Sequence, residues 1–334
     1  MDEHLDILDM KSSLLDDEML IIKRKSERFA YFLFIMTQIV WATQGTQLKS
    51  FHILFPGLYY IHSFTFWRNL MMTSLGYYIC YYKKIKIIKP SEIKVRYWFY
   101  VRNIGIYICI STWMQVLSYF RLSTCQIVGS ISPIIVILLS IIILKDSFYM
   151  RYIYGSIICL IGACMIILNE RNPETNNKNF DDNIFAGIIC FIINQTMFSF
   201  VNIGQKKVTQ ERISSEVQTF YFGLYSLIIS FCFCIFYQDF GFRNWKYCLY
   251  CIGNGLLFYI GNYYTTESFK YIQISKLMPI NYLGTVFTVV LGCIVFKEKL
   301  FFSDIIGASM IIGFVTYNGI YPPQSKKKKE NEKK

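Results

Sequence analysis

Arg68 sits inside the apolar stretch FTFWRNLMM. An ionisable side chain in hydrocarbon costs at least about 2.5–3.5 kcal/mol on insertion scales, so Arg68 must face a polar cavity or a partner. Two chemistries follow: the guanidinium holds the anionic group of a solute or balances a counter-charge, or it pairs with a helix carbonyl or an acid and fixes packing. His62 stands six residues earlier, nearly two helical turns away and off the face of Arg68 by roughly 120°. Histidine changes charge near neutral pH, so His62 is the candidate for proton coupling; a headgroup hydrogen bond is the plainer role. Glu267 and Lys276 flank a turn and can pair across it, or both can snorkel to water.

Carboxamides supply the remaining polar chemistry. Gln38, Thr43 and Gln44 cluster in one apolar run, Asn194, Gln195, Ser199 and Asn202 in a second, and Asn254, Asn262, Tyr263 and Thr266 in a third. Amides inside apolar runs either line a solute cavity or hydrogen-bond one helix to another, at about 0.6 kcal/mol on average. The candidate substrate-binding set is therefore Arg68, Gln38, Asn194, Gln195, Asn262 and Lys276, with His62 for proton transfer. No covalent chemistry is expected. The chain has no Walker loop, no HExxH and no nucleophile elbow, and only three histidines, so neither catalytic residues nor a cofactor is foreseen. Cys248 and Cys251 form a lone CxxC without a second pair or a histidine cluster, which favours two small residues on one helix face over a metal site.

These residues must be positioned by membrane helices. The 334 residues are 54% hydrophobic with a mean hydropathy of +0.36, too apolar for a soluble protein of this length. Runs of membrane-spanning length fall at about 29–47, 57–82, 97–120, 123–144, 149–169, 184–205, 216–237, 246–268, 273–296 and 301–321. Stretches such as IVILLSIIIL do not alternate, which excludes a barrel. The expected fold is an all-α membrane protein of ten helices. The net charge of +12 reflects lysines and arginines in short loops and tails, as topology demands, and no nucleic-acid partner is implied. Placing both termini in the cytoplasm puts Lys23 to Arg28, the loop from Lys83 to Arg96, Lys206, Lys207 and the terminal lysines inside.

Residues 119–155 recur without a gap 152 positions later, at 271–307. The repeat pairs Tyr119 with Tyr271, Ser123 with Ser275, Lys145 with Lys297, Asp146 with Glu298 and Gly155 with Gly307. The polar loop ERNPETNNKNFDDN divides the spans five and five. Five is odd, so the second half enters the membrane with opposite orientation and the repeat is inverted. The organisation expected is a tail at 1–28, a five-helix repeat at 29–169, a linker at 170–183, a second repeat at 184–321 and a basic tail at 322–334. Gly129 and Ser130 in the fourth span, and Gly284 in the ninth, suggest a close seam between halves.

This pattern resembles the drug/metabolite transporter superfamily, specifically the EamA-type proteins related to solute carrier family 35. The residues that carry the resemblance are Arg68 in FTFWRNLMM, Arg102 to Gly105, Ser132-Pro133 in SISPIIVILLSIIILKD, Gly155 and Gly162 in YGSIICLIGACMII, and KEKLFFSDIIGASMIIG. The second copy departs in having Thr285 where Pro133 stands. The resemblance implies two five-helix halves around a solute held near the midplane, exchanged between inward-open and outward-open states. The partners expected are a small organic solute, anionic if Arg68 binds it, and the lipid bilayer, with a homodimer or larger assembly also compatible. The rival reading is a non-transporting scaffold or accessory subunit that keeps the fold.

Overall fold

The structure, a computed structural model, describes residues 26–48, 50–51, 54, 61–119, 129, 132–146, 150–168, 184–211, 213–237, 240, 245–297 and 302–320. Residues 1–25 of the first tail, the linker 170–183, the basic tail 322–334, Ser123, Ser130 and Glu298 lie outside them. Ten helices form among the described residues. They are α1 (26–48), α2 (Ile61–Tyr82), α3 (Ile93–Tyr119), α4 (Ser132–Leu144), α5 (Met150–Leu168), α6 (Ile184–Gln210), α7 (Ser215–Phe236), α8 (Trp245–Tyr271), α9 (Ile274–Phe296) and α10 (Phe302–Ile320). Helix is the form that satisfies backbone groups within an apolar segment. Three are by themselves long and apolar enough to cross a membrane, Ala186–Gln210, Ser215–Phe236 and Ile274–Phe296.

The charged breaks in the repeat are helix ends of one kind. Lys145 and Lys297 both take a left-handed backbone, each at φ 55°, and their N–H groups donate to Ser140 and Gly292, five residues back. This closes the last turn as a left-handed C-cap does. Two lysines held at positive φ in matching places mark a shared structural device, because a side chain pays a steric cost there. The two helices differ in where they deviate from α geometry. Ser140–Leu144 at the end of α4 is a π turn, whereas Met278–Tyr282 near the start of α9 is a 3-10 turn carrying Pro279, which has no N–H to give.

Two pairs of counterpart helices, α2 with α7 and α5 with α10, pack antiparallel across the halves. The end of α2 meets the start of α7 through Lys83 and Glu216, 2.8 Å apart. A Cβ on Gly76 would stand 3.1 Å from the Phe220 backbone, and one on Gly223 2.8 Å from Thr73 Oγ1. The start of α5 likewise meets the end of α10, where Arg151 Nη2 donates to the Tyr317 carbonyl at 3.1 Å. At the crossing of α5 and α10, a Cβ on Gly155 would fall 1.6 Å from Phe314 Cζ and one on Gly162 2.8 Å from the Gly307 carbonyl. Gly155 and Gly307, matched in the sequence repeat, thus occupy equivalent places in one helix pair. The outer surface is apolar, with Ile142, Ile161, Ile192 and Ile294 exposed, as a lipid-facing belt requires.

Two expectations change. Helices α6 and α8 run past their expected ends, to Gln210 and Tyr271, so Lys206 is helical and buried rather than in a loop. Its Nζ donates to the carbonyls of Phe269 and Ile272, capping orphan acceptors where α8 ends. Gly129 and Gly284 do not meet one another at a seam of α4 and α9. Both border a cavity, and Gly284 instead makes room for Gln38, whose Oε1 would lie 3.1 Å from an added Cβ.

Candidate functional site

A cavity of about 390 Å³ lies between the halves, walled by α1, α2, α3 and α4 from one and α6, α7, α8 and α9 from the other. This volume falls in the range of small-molecule sites. Its wall extends from Phe34, Gln205 and Tyr282 to Leu48 and Met114 near the far ends of α1 and α3. Of the residues expected at the site, Arg68, Gln38, Asn194, Gln195 and Asn262 are all in this wall, and Gln44, Asn202 and Asn254 join them. Thr43, Ser199, Tyr263 and Thr266 do not. Thr43 and Ser199 turn back on the carbonyls of Ile39 and Gln195 in their own helices.

The amides in the wall bond mostly to protein. Gln38 Nε2 donates to Asn281 Oδ1 at 2.8 Å, Gln44 Nε2 to Asn254 Oδ1 at 3.2 Å, and Asn194 Nδ2 to the Cys109 carbonyl at 2.6 Å. Asn262 Nδ2 donates to Thr219 Oγ1 at 3.1 Å. Gln195 Nε2 donates to Asn194 Oδ1, while its Oε1 is buried without a partner. Asn281, near the start of α9, was not singled out in sequence because it follows a proline within an apolar run.

Arg68 is 2% exposed. Its Nε and Nη2 both donate to Asn69 Oδ1, at 3.3 and 3.1 Å, and its guanidinium lies 4.4 Å over the Phe258 ring. Phe258 stacks on Phe222 at 5.6 Å. On Phe222 rests a second buried guanidinium, that of Arg102, at 5.2 Å. Two cations therefore flank a stacked phenylalanine pair, the arrangement an aromatic quadrupole favours. Arg102 is held by Asn262 Oδ1 at 3.4 Å and the Gln218 carbonyl at 2.9 Å. It stands behind the wall rather than in it. Among the described residues no carboxylate forms an ion pair with either arginine. In sequence Arg102 marks the resemblance but not the site, because it sits at the head of a span, where a cation reads as interfacial; α3 begins earlier, at Ile93, which carries Arg102 about two and a half turns inward.

His62 and Lys276 are not in the cavity wall. His62 Nδ1 is 2.7 Å from Tyr107 Oη, and its ring stacks on Phe233 and Tyr237. Lys276 lies 3.9 Å from Glu27. Glu267 does not pair with Lys276. It accepts from Lys270 at 2.5 Å, Ser215 at 2.6 Å and Tyr271 at 3.1 Å, because α8 continues long enough to bring Lys270 and Tyr271 onto its own face.

His62, at the start of α2, lies at one end of the bundle, whereas Lys276 and Glu267 belong to a set of charged groups at the opposite end, where α1 begins. There Lys83 pairs with Glu216 and Glu27 with Lys276, each across the halves. Asp146, just past the end of α4, faces the backbone N–H groups of Ile274 and Ser275 in the first turn of α9 and is attracted by Lys206 and Lys276. Its Oδ2 is buried without a partner, and burial pushes its carboxyl above the ordinary aspartate value despite those favourable charges. Among the described residues no cluster of His, Cys, Asp and Glu could hold a metal. Cys251 is buried and free, Cys248 free beside it.

Residues 28–168 and 185–318 each match the EamA-like transporter family. The chain belongs to that family. It is a multi-pass membrane protein of the drug/metabolite transporter superfamily with two EamA domains, and the family is one of transporters, not of enzymes. A solved crystal structure shares its fold with a TM-score of 0.71 at 13% identity, over 86% of this chain and 96% of that one. None of the curated proteins matches the EamA-like chain in sequence.

Proposed function

We propose that the chain is a secondary transporter that moves a small organic anion by alternating access through the cavity between its halves. The observation that carries the anionic reading is Arg68, buried in the wall without an acidic partner among the described residues. A cation kept in so dry a place is strongly stabilised by a bound anion, since desolvation strengthens the attraction. Arg102 adds positive potential from behind Phe222 and is tied to the wall through Asn262. Gln38, Asn194, Gln195 and Asn262 then position the solute. Lys276 acts at the end of the bundle rather than on the solute.

Alternating access is supported by the antiparallel counterparts and by the contacts across one end of the bundle. Lys83–Glu216, Glu27–Lys276 and Asp146 with the start of α9 all join one half to the other where α1 begins, and the cavity wall extends away from them. Such contacts can break in exchange for others at the opposite end, which is how inverted repeats alternate around a fixed site. We place the end where α1 begins in the cytoplasm, on the distribution of lysine and arginine.

Counterflow in proteoliposomes of purified full chain, run with anionic, neutral and cationic solutes at one pH, tests the proposal. Accumulation of anions alone is the expected result. Exchange of cations in preference would remove the role given to Arg68, and exchange of no solute would favour a scaffold that retains the fold.

A further inference from the structure

The chemistry of the cavity wall narrows the substrate further. Every carboxamide side chain named in the wall already donates at least one N–H to protein, as Gln38 does to Asn281, Gln44 to Asn254 and Asn262 to Thr219, and Gln195 Oε1 is the buried carboxamide oxygen among them left without a partner. A sugar or a phosphorylated solute needs many such groups free, because each of its hydroxyls and phosphoryl oxygens loses water on entering. Among the described wall residues there is no Asp or Glu, so nothing charged receives an ammonium group. One guanidinium, Arg68, is in the wall, which suits one negative charge rather than two.

The rest of the wall is apolar and rich in rings. Phe34, Trp41, Trp113, Phe198, Phe222 and Phe258 border the cavity, and Trp41 meets Phe258 edge-on at 5.1 Å, beside Arg68. Aromatic walls favour a flat apolar body over an aliphatic polyol, because rings stack or meet edge to face. The cavity of about 390 Å³ accepts a compact molecule of this kind.

We infer that the substrate is an organic monoanion with a planar apolar body, its single acidic group at Arg68 and its body among the aromatic side chains of α1, α3, α6 and α8. This rests on the anionic reading above and adds to it the ring and the exclusion of a second charge of either sign.

The test uses 2-phenylethanesulfonate, which stays ionised and does not leak through the bilayer as a neutral acid. Its exchange by full-length chain in proteoliposomes is compared at pH 7.5 with ethanesulfonate, which lacks the ring, phenylalanine, which adds an ammonium group, and glucose 6-phosphate. The expected result is exchange of 2-phenylethanesulfonate at least tenfold faster than of any comparator. Phe258→Leu, which keeps the apolar fill, should lower the rate for 2-phenylethanesulfonate severalfold and so narrow its advantage over ethanesulfonate. Ethanesulfonate or glucose 6-phosphate exchanging as fast as the aryl sulfonate would overturn the aromatic claim while leaving the anionic reading intact. Phenylalanine exchanging equally fast would overturn the exclusion of an ammonium group. Exchange of none of the four, with other solutes also inert, would overturn transport itself and this inference with it.

Discussion

Arg68 and Arg102 are both buried guanidiniums on phenylalanine rings, yet they answer to different tests. Arg102 bridges the Gln218 carbonyl and Asn262 Oδ1, and a lysine cannot span both because it offers a point charge in place of a planar fork. Arg102→Lys should therefore lower stability by about 1.5–3 kcal/mol, the range for a hydrogen bond to a charged group, read as a fall in thermal unfolding temperature in detergent. An unchanged transition would mean that the bridge contributes nothing. His62 is already bonded to Tyr107 and stacked on two rings, so His62→Gln should leave the pH profile of transport unchanged between about 5.5 and 8. A profile flattened by this substitution would restore the proton-coupling role. Arg68 was legible in the sequence because it is a charge in the middle of an apolar run. Arg102 was not, since only the true start of α3 reveals how deep it lies.

At the level of helices, the α5–α10 crossing depends on glycine. A Cβ on Gly155 would overlap the Phe314 ring, and overpacking of this kind costs about 1–3 kcal/mol. Gly155→Ala should destabilise by that amount, and Phe314→Leu in the same chain should recover part of it; thermal unfolding of the two variants checks both. Asp146 makes a second prediction. Burial raises its pKa above the ordinary value, so the folded state binds the proton more tightly than the unfolded chain does. The resulting stability is fully present below the unfolded pKa of about 3.9 and is lost as pH rises through the higher folded pKa. Relative to Asp146→Asn, the parent chain should thus lose thermal stability as pH is raised from about 4 to 7, and a constant difference would refute it. The sequence repeat pointed to the Lys-acid breaks but could not show that each lysine closes a helix in left-handed geometry. Nor could it show that Asp146 faces the start of α9, because that contact joins residues distant in the chain.

For the molecule as a whole, the apolar runs and the odd number of spans per half were sufficient to read ten helices and an inverted arrangement. Among the described residues span limits were within a few residues except where polar turns continue a helix, as at Lys206 and Lys270; the expected starts of the second, fourth and tenth spans and the end of the tenth lie outside those residues. The amides of the cavity were legible as a class from their clustering in apolar runs, whereas the rings among them were hidden by the 29 Phe and 26 Tyr of the chain, most of which serve packing or lipid contact. What unites the scales is one claim, that an anion binds at Arg68 between the halves and is carried across. Counterflow of a transported anion into proteoliposomes of the parent chain, Arg68→Lys and Arg68→Gln tests this most directly. Arg68→Gln should lose at least tenfold in rate, about 1.4 kcal/mol or more of transition-state stabilisation, and Arg68→Lys should keep part of it. Uptake by Arg68→Gln equal to that of the parent, with all three proteins folded, would contradict that claim.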